Sequence, residues 1–497
     1  MNFSKSKYTT AWQCPKAIWL KKYKPEEEEL SDSVQARMTS GNEVGDLAMG
    51  LFGDYVDVTE YEGDRIDIEK MILRTKEEMK RGTEVICEAS FVYDGLYCAV
   101  DILKKEDDGY AIYEVKSSTD ANKDVYYADV AYQKYVLEHC DIKVTNTYVV
   151  VINNEYVFDG ILKLDELFKI TDVSKGVENQ LLSVESVLGR AKKILESDQE
   201  PDIDIDLHCD KPYPCAFWKY CSRHLPAPSV FDLYRMSFKK ALEYYRKGIT
   251  SYEQLEIDPD ITNEKQLTQI DFYLHDRGLY VDTTVIGQFL DKCKYPLYFL
   301  DFETEQPVIP KYIGTKPYQQ IPFQYSLHYI EKEGGEVKHK EFLGNSVDDP
   351  RRALAEQLCK DIPLNACTMV YNKVFECSRI AEMAEVFPDL RFHLLDIRDN
   401  IIDLLDPFRQ GGYYVKEMGG SFSIKSVLPA IFPDDPELNY HNLEEVHHGG
   451  EAMALYPLIK DMAPDEQKRA RKNLLKYCEL DTYAMVKVWQ ELSRRQK

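Results

Sequence analysis

The stretch from Tyr97 to Lys116, YCAVDILKKEDDGYAIYEVK, limits what this chain can fold into more than any other. Two apolar runs meet at Asp107-Asp108-Gly109, and Asp-Gly between alternating runs is a strong hairpin signal. Side chains two apart on a strand share a face, so Glu114 and Lys116 point one way and Val115 the other. A two-residue turn at Asp108-Gly109 sets Asp101 opposite Lys116, whereas a turn at Asp107-Asp108 sets it opposite Glu114. Either register gathers three charges on one face. A hairpin that leaves its charges in solvent is the alternative.

A chain of 497 residues exceeds one hydrophobic core, so two domains with connecting material are expected. No run approaches the roughly 20 apolar residues that span a bilayer. The first residues hold Lys5, Lys7 and Cys14 in a polar, aromatic setting, without an apolar core or small-residue cleavage site. These features predict an intracellular, cytoplasmic protein with no membrane partner. Twelve cysteines in so long a chain are no secreted disulfide framework, and most read as buried thiols in a reducing compartment. A formal charge of -24 argues against coating nucleic acid through bulk electrostatics, but not against a nuclease, because metal-holding enzymes concentrate carboxylates. The basic run Lys468-Arg469-Ala470-Arg471-Lys472 reads first as a solvated helix face and second as a phosphate track.

Around the hairpin, Thr9 to Lys22 has an amphipathic helical pattern with Cys14 near its start. Pro25 to Glu29 is an acidic loop, and Ser40 caps a helix that carries Glu43 and Asp46 on adjacent turns. Ser118 to Val136 reads as a loop and a helix bearing Tyr127, Gln133 and Tyr135, and Asn146 to Ile152 as a buried strand. Cys209, Cys215 and Cys221 follow at even five-residue gaps, without the paired knuckles of a zinc ribbon. Cys14, beside Pro15, is the other cysteine in a comparable setting. Four thiolates would hold an iron–sulfur cluster. Unrelated buried cysteines, or His208 as a ligand, are the alternatives.

One cysteine before the core, Asp101…Glu114-Val115-Lys116, a Gln-and-Tyr helix and three terminal cysteines resemble the Cas4/RecB-like group of PD-(D/E)xK nucleases, over roughly residues 1–224. The resemblance implies a restriction-endonuclease-like domain with a 4Fe-4S cluster on Cys14, Cys209, Cys215 and Cys221. It implies metal ligation by Asp101, Glu114 and the carbonyl of Val115, with Lys116 orienting water or steadying phosphate charge, and Gln133 as the helix glutamine. Many relatives place a histidine on the first helix; this chain has none before His139, and Glu43 is the candidate replacement. Phosphodiester hydrolysis needs a cation on a non-bridging oxygen and a positive group beside the transition state, which these residue types supply.

Residues 225–295 read as a helical linker or small DNA-contacting region. From Pro296, PLYFLDFETE runs apolar residues into Asp301-Phe302-Glu303, and a buried strand seldom carries two acids on one face unless a cation neutralises them. Cys367 to Tyr371 is a further buried strand, with Asn372 as helix cap and Glu376 in the next turns. Tyr477 and Asp481, four apart, share a helix face. This set resembles the DEDD exonucleases of the RNase H-like fold. More narrowly, PLYFLDFET, PYQQIPFQYSLH, VYNKVFE, GSFSIKSVLPAIFP and LKYCELDT resemble the domain-of-unknown-function 2779 family from about Pro296 to residue 497. The resemblance implies two Mg2+ or Mn2+ ions on Asp301, Glu303, Glu376 and Asp481, with Tyr477 orienting or deprotonating water; Glu376 stands where classical members have aspartate.

Asp396 and Asp403 could flank that site or line an amphipathic helix, His448 could touch substrate, and Lys425 could meet a phosphate. No GxxxxGK[ST] loop is present, so no ATP-driven motor is expected. Together these readings predict an α/β protein: a PD-(D/E)xK domain, a helical linker and an RNase H-like mixed-sheet domain over residues 296–497. The expected activity is metal-dependent cleavage of nucleic acid, DNA before RNA, with protein partners in repair or defence. A nucleic-acid-binding scaffold with inactive sites is the rival class.

Overall fold

Strands that alternate two kinds of side chain can serve two layers at once, and that is how both halves of this chain are built. The computed structural model describes residues 3–29 and 41–496. It divides into a first unit, Met1–His224 with Pro307–Gln319, and a second, Leu225–Gln306 with Gln320–Lys497. Both are α/β, with mixed sheets covered by helices.

In the first unit, β1 (Val85–Tyr93), β2 (Leu96–Glu106), β3 (Gly109–Lys116), β4 (Val144–Ile152) and β5 (Phe168–Asp172) lie side by side in chain order. Val56–Asp57 extends the sheet beside β1, and Phe3–Ser4 runs parallel to β2. Among β1 to β5 the ladders are antiparallel except β3–β4. A parallel pair needs a crossover, and α3 (Asp124–His139) supplies it. With α1 (Lys5–Gln13), α2 (Pro15–Tyr23) and α4 (Ser174–Glu196), it forms the helical layer. Glu106 pairs with Gly109, which settles the turn at Asp107-Asp108. Gly109 has φ +155°, and a Cβ there would lie 2.4 Å from the Lys143 carbonyl oxygen, so no side chain fits. Along β3, Ile112 enters the core shared with α1, α3 and α4, while Ala111, Tyr113 and Val115 enter a second core on the opposite face. Glu114 and Lys116 therefore face α1 and α3.

The single helix expected over Thr9 to Lys22 is two helices that break at Cys14. Pro15 cannot donate to a preceding turn and disfavours helical geometry in the residue before it; Cys14 is accordingly extended, with φ −151° and ψ 110°. The cap expected at Ser40 lies outside the described residues.

The second unit is built on β6 (Leu297–Glu305), β7 (Ile321–Ile330), β8 (Val337–Leu343), β9 (Cys367–Val370) and β10 (Ile401–Asp403), in the spatial order β8-β7-β6-β9-β10. The first three form an antiparallel meander; β9 and β10 are parallel to β6. On central β6, Tyr298, Leu300 and Phe302 pack in the core of α5 (Arg351–Asp361), α6 (Val374–Val386) and α7 (Arg391–Asp399), while Leu297 and Phe299 pack with Leu480, Met485 and Val488 of the long terminal helix, Pro464–Gln496. Asp301 and Glu303 continue this second row. The unit begins before the expected boundary at residue 296, because Phe272, Ile286 and Phe289 from the helical segment 225–295 share the core of Leu297 and Phe299. Gln269 also donates to the Gly419 carbonyl (3.0 Å). No helix among the described residues is long and apolar enough to cross a membrane.

Candidate functional site

Three groups of the expected residues come together. In the first unit, Glu114 is 1% exposed. Its Oε1 accepts from Lys5 Nζ (2.9 Å) and Lys116 Nζ (2.6 Å), and its Oε2 from Gln133 Nε2 (2.7 Å). Lys5 also donates to Asp101 Oδ1 (3.1 Å), and Lys116 to Asp129 Oδ2 (2.7 Å). The Val115 backbone N–H donates to Asp101 Oδ2 (2.8 Å). Burial pushes the Glu114 carboxyl up, but the ammonium groups of Lys116 and Lys5 outweigh it and hold the group well below the usual range. Asp101 moves the other way, to about 6, through burial and the adjacent Glu114. Glu88, which the strand register brings opposite Asp101, rises to about 7 through burial and that neighbour. Its φ of +54° is unusual for a strand residue that is not glycine.

Glu43 does not join this group. Val44 and Ala48 take the buried side of helix 41–48, and Glu43 is exposed. Asp46 instead lines the open cleft shared by Lys5, Asp101, Glu114 and Lys116. Lys5, Glu88 and Asp129 were absent from the sequence-based set. Asp129 had a readable signal, since it lies one helical turn before Gln133 and its Oδ1 accepts from that amide (3.2 Å). Lys5 had none, because the chain returns it to the hairpin from an unrelated helix.

Cys14, Cys209, Cys215 and Cys221 line one small cavity and carry no disulfide. Gln13 holds the N-terminal helix to this segment by donating to the carbonyls of His208 and Tyr213, each at 2.8 Å. The Cys215 N–H bonds the Cys209 carbonyl (2.9 Å). Burial, with the other thiols nearby, raises Cys14 to about 11 and Cys209 to about 12. His208 lines the same cavity.

In the second unit the terminal helix lies over the outer end of β6. Asp301, Glu303 and Cys478 place ligand atoms within 4.8 Å of one another. Cys478 Sγ approaches Asp301 Oδ2 at 3.8 Å, and Tyr440 donates to Asp481 Oδ1 (2.6 Å). Glu376 is 2% exposed, and its Oε2 is buried with no hydrogen-bond partner. Burial and the mutual repulsion of Asp301, Glu303, Glu376 and Asp481 push Asp301 and Glu303 far above the carboxylate range. Burial lifts Glu376 to about 8, with Asp403 adding to it. Asp481 reaches about 6 through burial, tempered by the Tyr440 hydroxyl and Lys425. Tyr477 is raised strongly by burial and the surrounding acids. Lys425 lies 5.6 Å from the ring centre of Tyr440 and 5.7 Å from that of Tyr477.

The weaker candidates separate. Asn372 is no helix cap: it adopts the left-handed region (φ +70°), which asparagine tolerates. Asp403, at the end of β10, accepts from the backbone N–H groups of Asn372 (2.8 Å), Lys373 (3.2 Å) and Leu405 (3.0 Å), shaping the turn that delivers Glu376. Asp396 accepts from the Asn365 N–H (2.8 Å), away from the acids. His448 accepts from the Glu451 N–H (3.3 Å), capping Gly449–Leu455. In the basic run, Arg471 donates to the carbonyls of Gly344 and Leu343, and Arg469 pairs with Glu445, so these two are tied into the unit. Tyr440 and Cys478 escaped the sequence reading: Tyr440 sits in a single 3-10 turn, Tyr440–Asn442, and a cysteine beside Tyr477 looks like ordinary helix core.

Residues 298–423 match the family described as a domain of unknown function, DUF2779. That span holds Asp301, Glu303 and Glu376 and ends before Tyr477 and Asp481. Over 222 residues the chain is 28% identical to an uncharacterised protein of Ureaplasma parvum, UU173, covering 40% of this chain and 31% of that protein. The chain thus spans about a third of that relative's length.

Proposed function

We propose that this protein is a metal-dependent nuclease, hydrolysing phosphodiester bonds of DNA before RNA, with a candidate site in each unit. The observation that carries the reading is the acidic cluster of the second unit. Asp301, Glu303, Glu376 and Asp481 converge from three elements: ligand atoms of Asp301 and Glu303 lie within 4.8 Å of one another, and both carboxyls are raised by burial and by the charges of Asp481 and Glu376. Balancing charge is scarce there: Lys425 acts on Glu303 and Asp481, and Arg379 on Glu376. Buried carboxylates without partners are costly, and hard oxygen ligands of this kind suit Mg2+ or Mn2+. The bare Glu376 Oε2 fits the same reading, as an acceptor with nothing to accept from.

A divalent ion held by these four residues would supply Lewis acidity toward phosphate and a nucleophile at neutral pH. The protein's own groups do the rest. A Tyr477 hydroxyl held so far up keeps its proton, which suits orienting water over removing its proton. Lys425, beside the acids, can meet phosphate charge. In the first unit, Asp101, Glu114 and the Val115 backbone form the second candidate set, with Lys116 as the positive group and Gln133 fixing Glu114. A donor set of four free thiols around one cavity fits a 4Fe-4S cluster, which would join the start of that unit to its end.

One observation favours a different reading of the first site. The Lys5 ammonium already bridges Asp101 and Glu114, the place a cation would take, which suits a domain that grips nucleic acid without cutting it. The test is cleavage of labelled single- and double-stranded DNA and RNA by the full chain with Mg2+, Mn2+ or chelator, alongside Lys116→Ala, Asp301→Ala and the double variant. Cleavage lost only in Asp301→Ala assigns the activity to the second unit, and loss only in Lys116→Ala to the first. Absence of cleavage by the unaltered chain on every substrate would overturn the proposal, and tight binding without cleavage would support the scaffold.

A further inference from the structure

A second cluster of side chains with potential metal-ligand atoms lies on β7, β8 and the terminal helix and shares no residue with the acids. His328 on β7 pairs directly with His339 on β8, and their ring centres are 4.5 Å apart. The terminal helix adds Glu479, and one ligand atom from each of the three lies within 4.8 Å of the others. His339 Nδ1 is 3.9 Å from Glu479 Oε1. We propose that His328, His339 and Glu479 bind a transition-metal ion of the zinc class, fastening the helix that carries Tyr477 and Asp481 to β7 and β8.

The hydrogen bonds prepare both rings for this role. His328 Nδ1 is 2.8 Å from Thr482 Oγ1, and His339 Nε2 is 2.8 Å from Ser326 Oγ. Ser326 Oγ lies 2.6 Å from Thr482 Oγ1, which donates onward to the Glu479 carbonyl (3.1 Å). Let each of those ring nitrogens carry its proton. Ser326 then donates to Thr482, Thr482 to the carbonyl, and every donor in the chain has an acceptor. The nitrogens left with lone pairs are His328 Nε2 and His339 Nδ1. Metal-bound histidine usually donates its other ring N–H to an oxygen acceptor that fixes ring orientation and tautomer, and the two hydroxyls take that place here.

His328 is buried, 5% exposed, so its ring is held in one place. The Glu479 side chain is 49% exposed, so an ion can enter beside it. Glu341, two residues from His339 on β8, lies on the same face of that strand. Two imidazoles and a carboxylate suit Zn2+, Co2+ or Ni2+, whereas the all-oxygen set on Asp301 suits harder ions.

The experiment measures metal binding and not cleavage, so its outcome is independent of the nuclease reading. Chelator-treated full chain is titrated with Zn2+ and with Co2+, beside His339→Ala and Glu479→Gln. Glu479 is half exposed, so its variant tests the site without disturbing the core. The expected result is one fewer bound zinc in His339→Ala and a zinc affinity weakened roughly tenfold or more in Glu479→Gln. Cobalt bands without thiolate charge transfer should disappear in His339→Ala, which separates this site from the cysteines. Equal zinc stoichiometry and affinity in all three proteins would overturn the proposal.

Discussion

Replacing Asp481 with Asn should make the metal-free protein more stable, although it removes a buried hydrogen-bonded acid. Asp481 is 9% exposed, and burial raises its carboxyl from 3.8 to about 6. Holding such a group ionised costs about 3 kcal/mol relative to the unfolded chain. The folded state binds this proton more tightly than the unfolded state does. The penalty is therefore absent below about pH 4, grows between about pH 4 and 6, and is complete near neutrality. Asparagine keeps an oxygen for the Tyr440 hydroxyl, which donates at 2.6 Å, and relieves Asp301 and Glu303 of a like charge. After allowance for a weaker hydrogen bond, the net gain is about 1–3 kcal/mol near neutral pH, or about 2–6 °C in the melting of a unit this size. Calorimetry of the full chain in chelator, near neutral pH and near pH 4, reads the effect, and repetition with Mn2+ reverses the order, because only the unaltered site should gain from the ion. A variant that melts below the unaltered protein in chelator near neutrality would show that the carboxylate is satisfied as it stands, and would remove the physical basis for a cation there.

Tyr132 is fully buried, and its hydroxyl bonds the carbonyls of Phe3 (2.9 Å) and Tyr97 (3.1 Å); Tyr132→Phe should cost about 1–2 kcal/mol in urea unfolding, and an unchanged midpoint would mean that these bonds add nothing. Asp361 accepts from Tyr325 (2.7 Å), Lys340 (2.9 Å) and Gln357 (3.1 Å), and these partners outweigh burial to hold its carboxyl below the usual range. Asp361→Ala should lose about 2–4 kcal/mol near neutrality. The stability that ionised Asp361 contributes is present above about pH 4 and lost as pH falls through its lower folded value, so the gap between the two proteins should narrow in acid; a gap independent of pH would refute the charge argument. Iron-reconstituted full chain should be brown with broad visible absorbance, and Cys215→Ala should lose both colour and iron; a colourless protein that takes up zinc instead would show the wrong metal had been assigned.

Much of each site could be read from short-range pattern. Glu114 with Lys116, and Asp301 with Glu303, lie two apart on strands, and Tyr477 with Asp481 four apart on a helix, so each pair shares a face whatever surrounds it. The hairpin left two registers open. The structure chose the turn at Asp107-Asp108, where Gly109 passes against the Lys143 carbonyl with no room for a Cβ. The break at Cys14 was legible in principle, since Pro15 disfavours helical geometry before it, but a helical pattern on both sides concealed it. Glu43 failed because the helix turns Val44 and Ala48 inward, a choice made by the core it packs on and not by its own spacing.

By itself, then, the chain determines which side chains travel together: periodicity is a property of neighbouring residues, and an alternating strand carries its pairs into any fold. What those pairs meet was decided only in three dimensions. Lys5 reaches Glu114 across 109 positions, Tyr440 reaches Asp481 across 41, and Thr482 joins His328 across 154. Such contacts depend on which helix covers which face of a sheet. That is set by the packing of whole apolar surfaces and leaves little trace in the residues that finally touch.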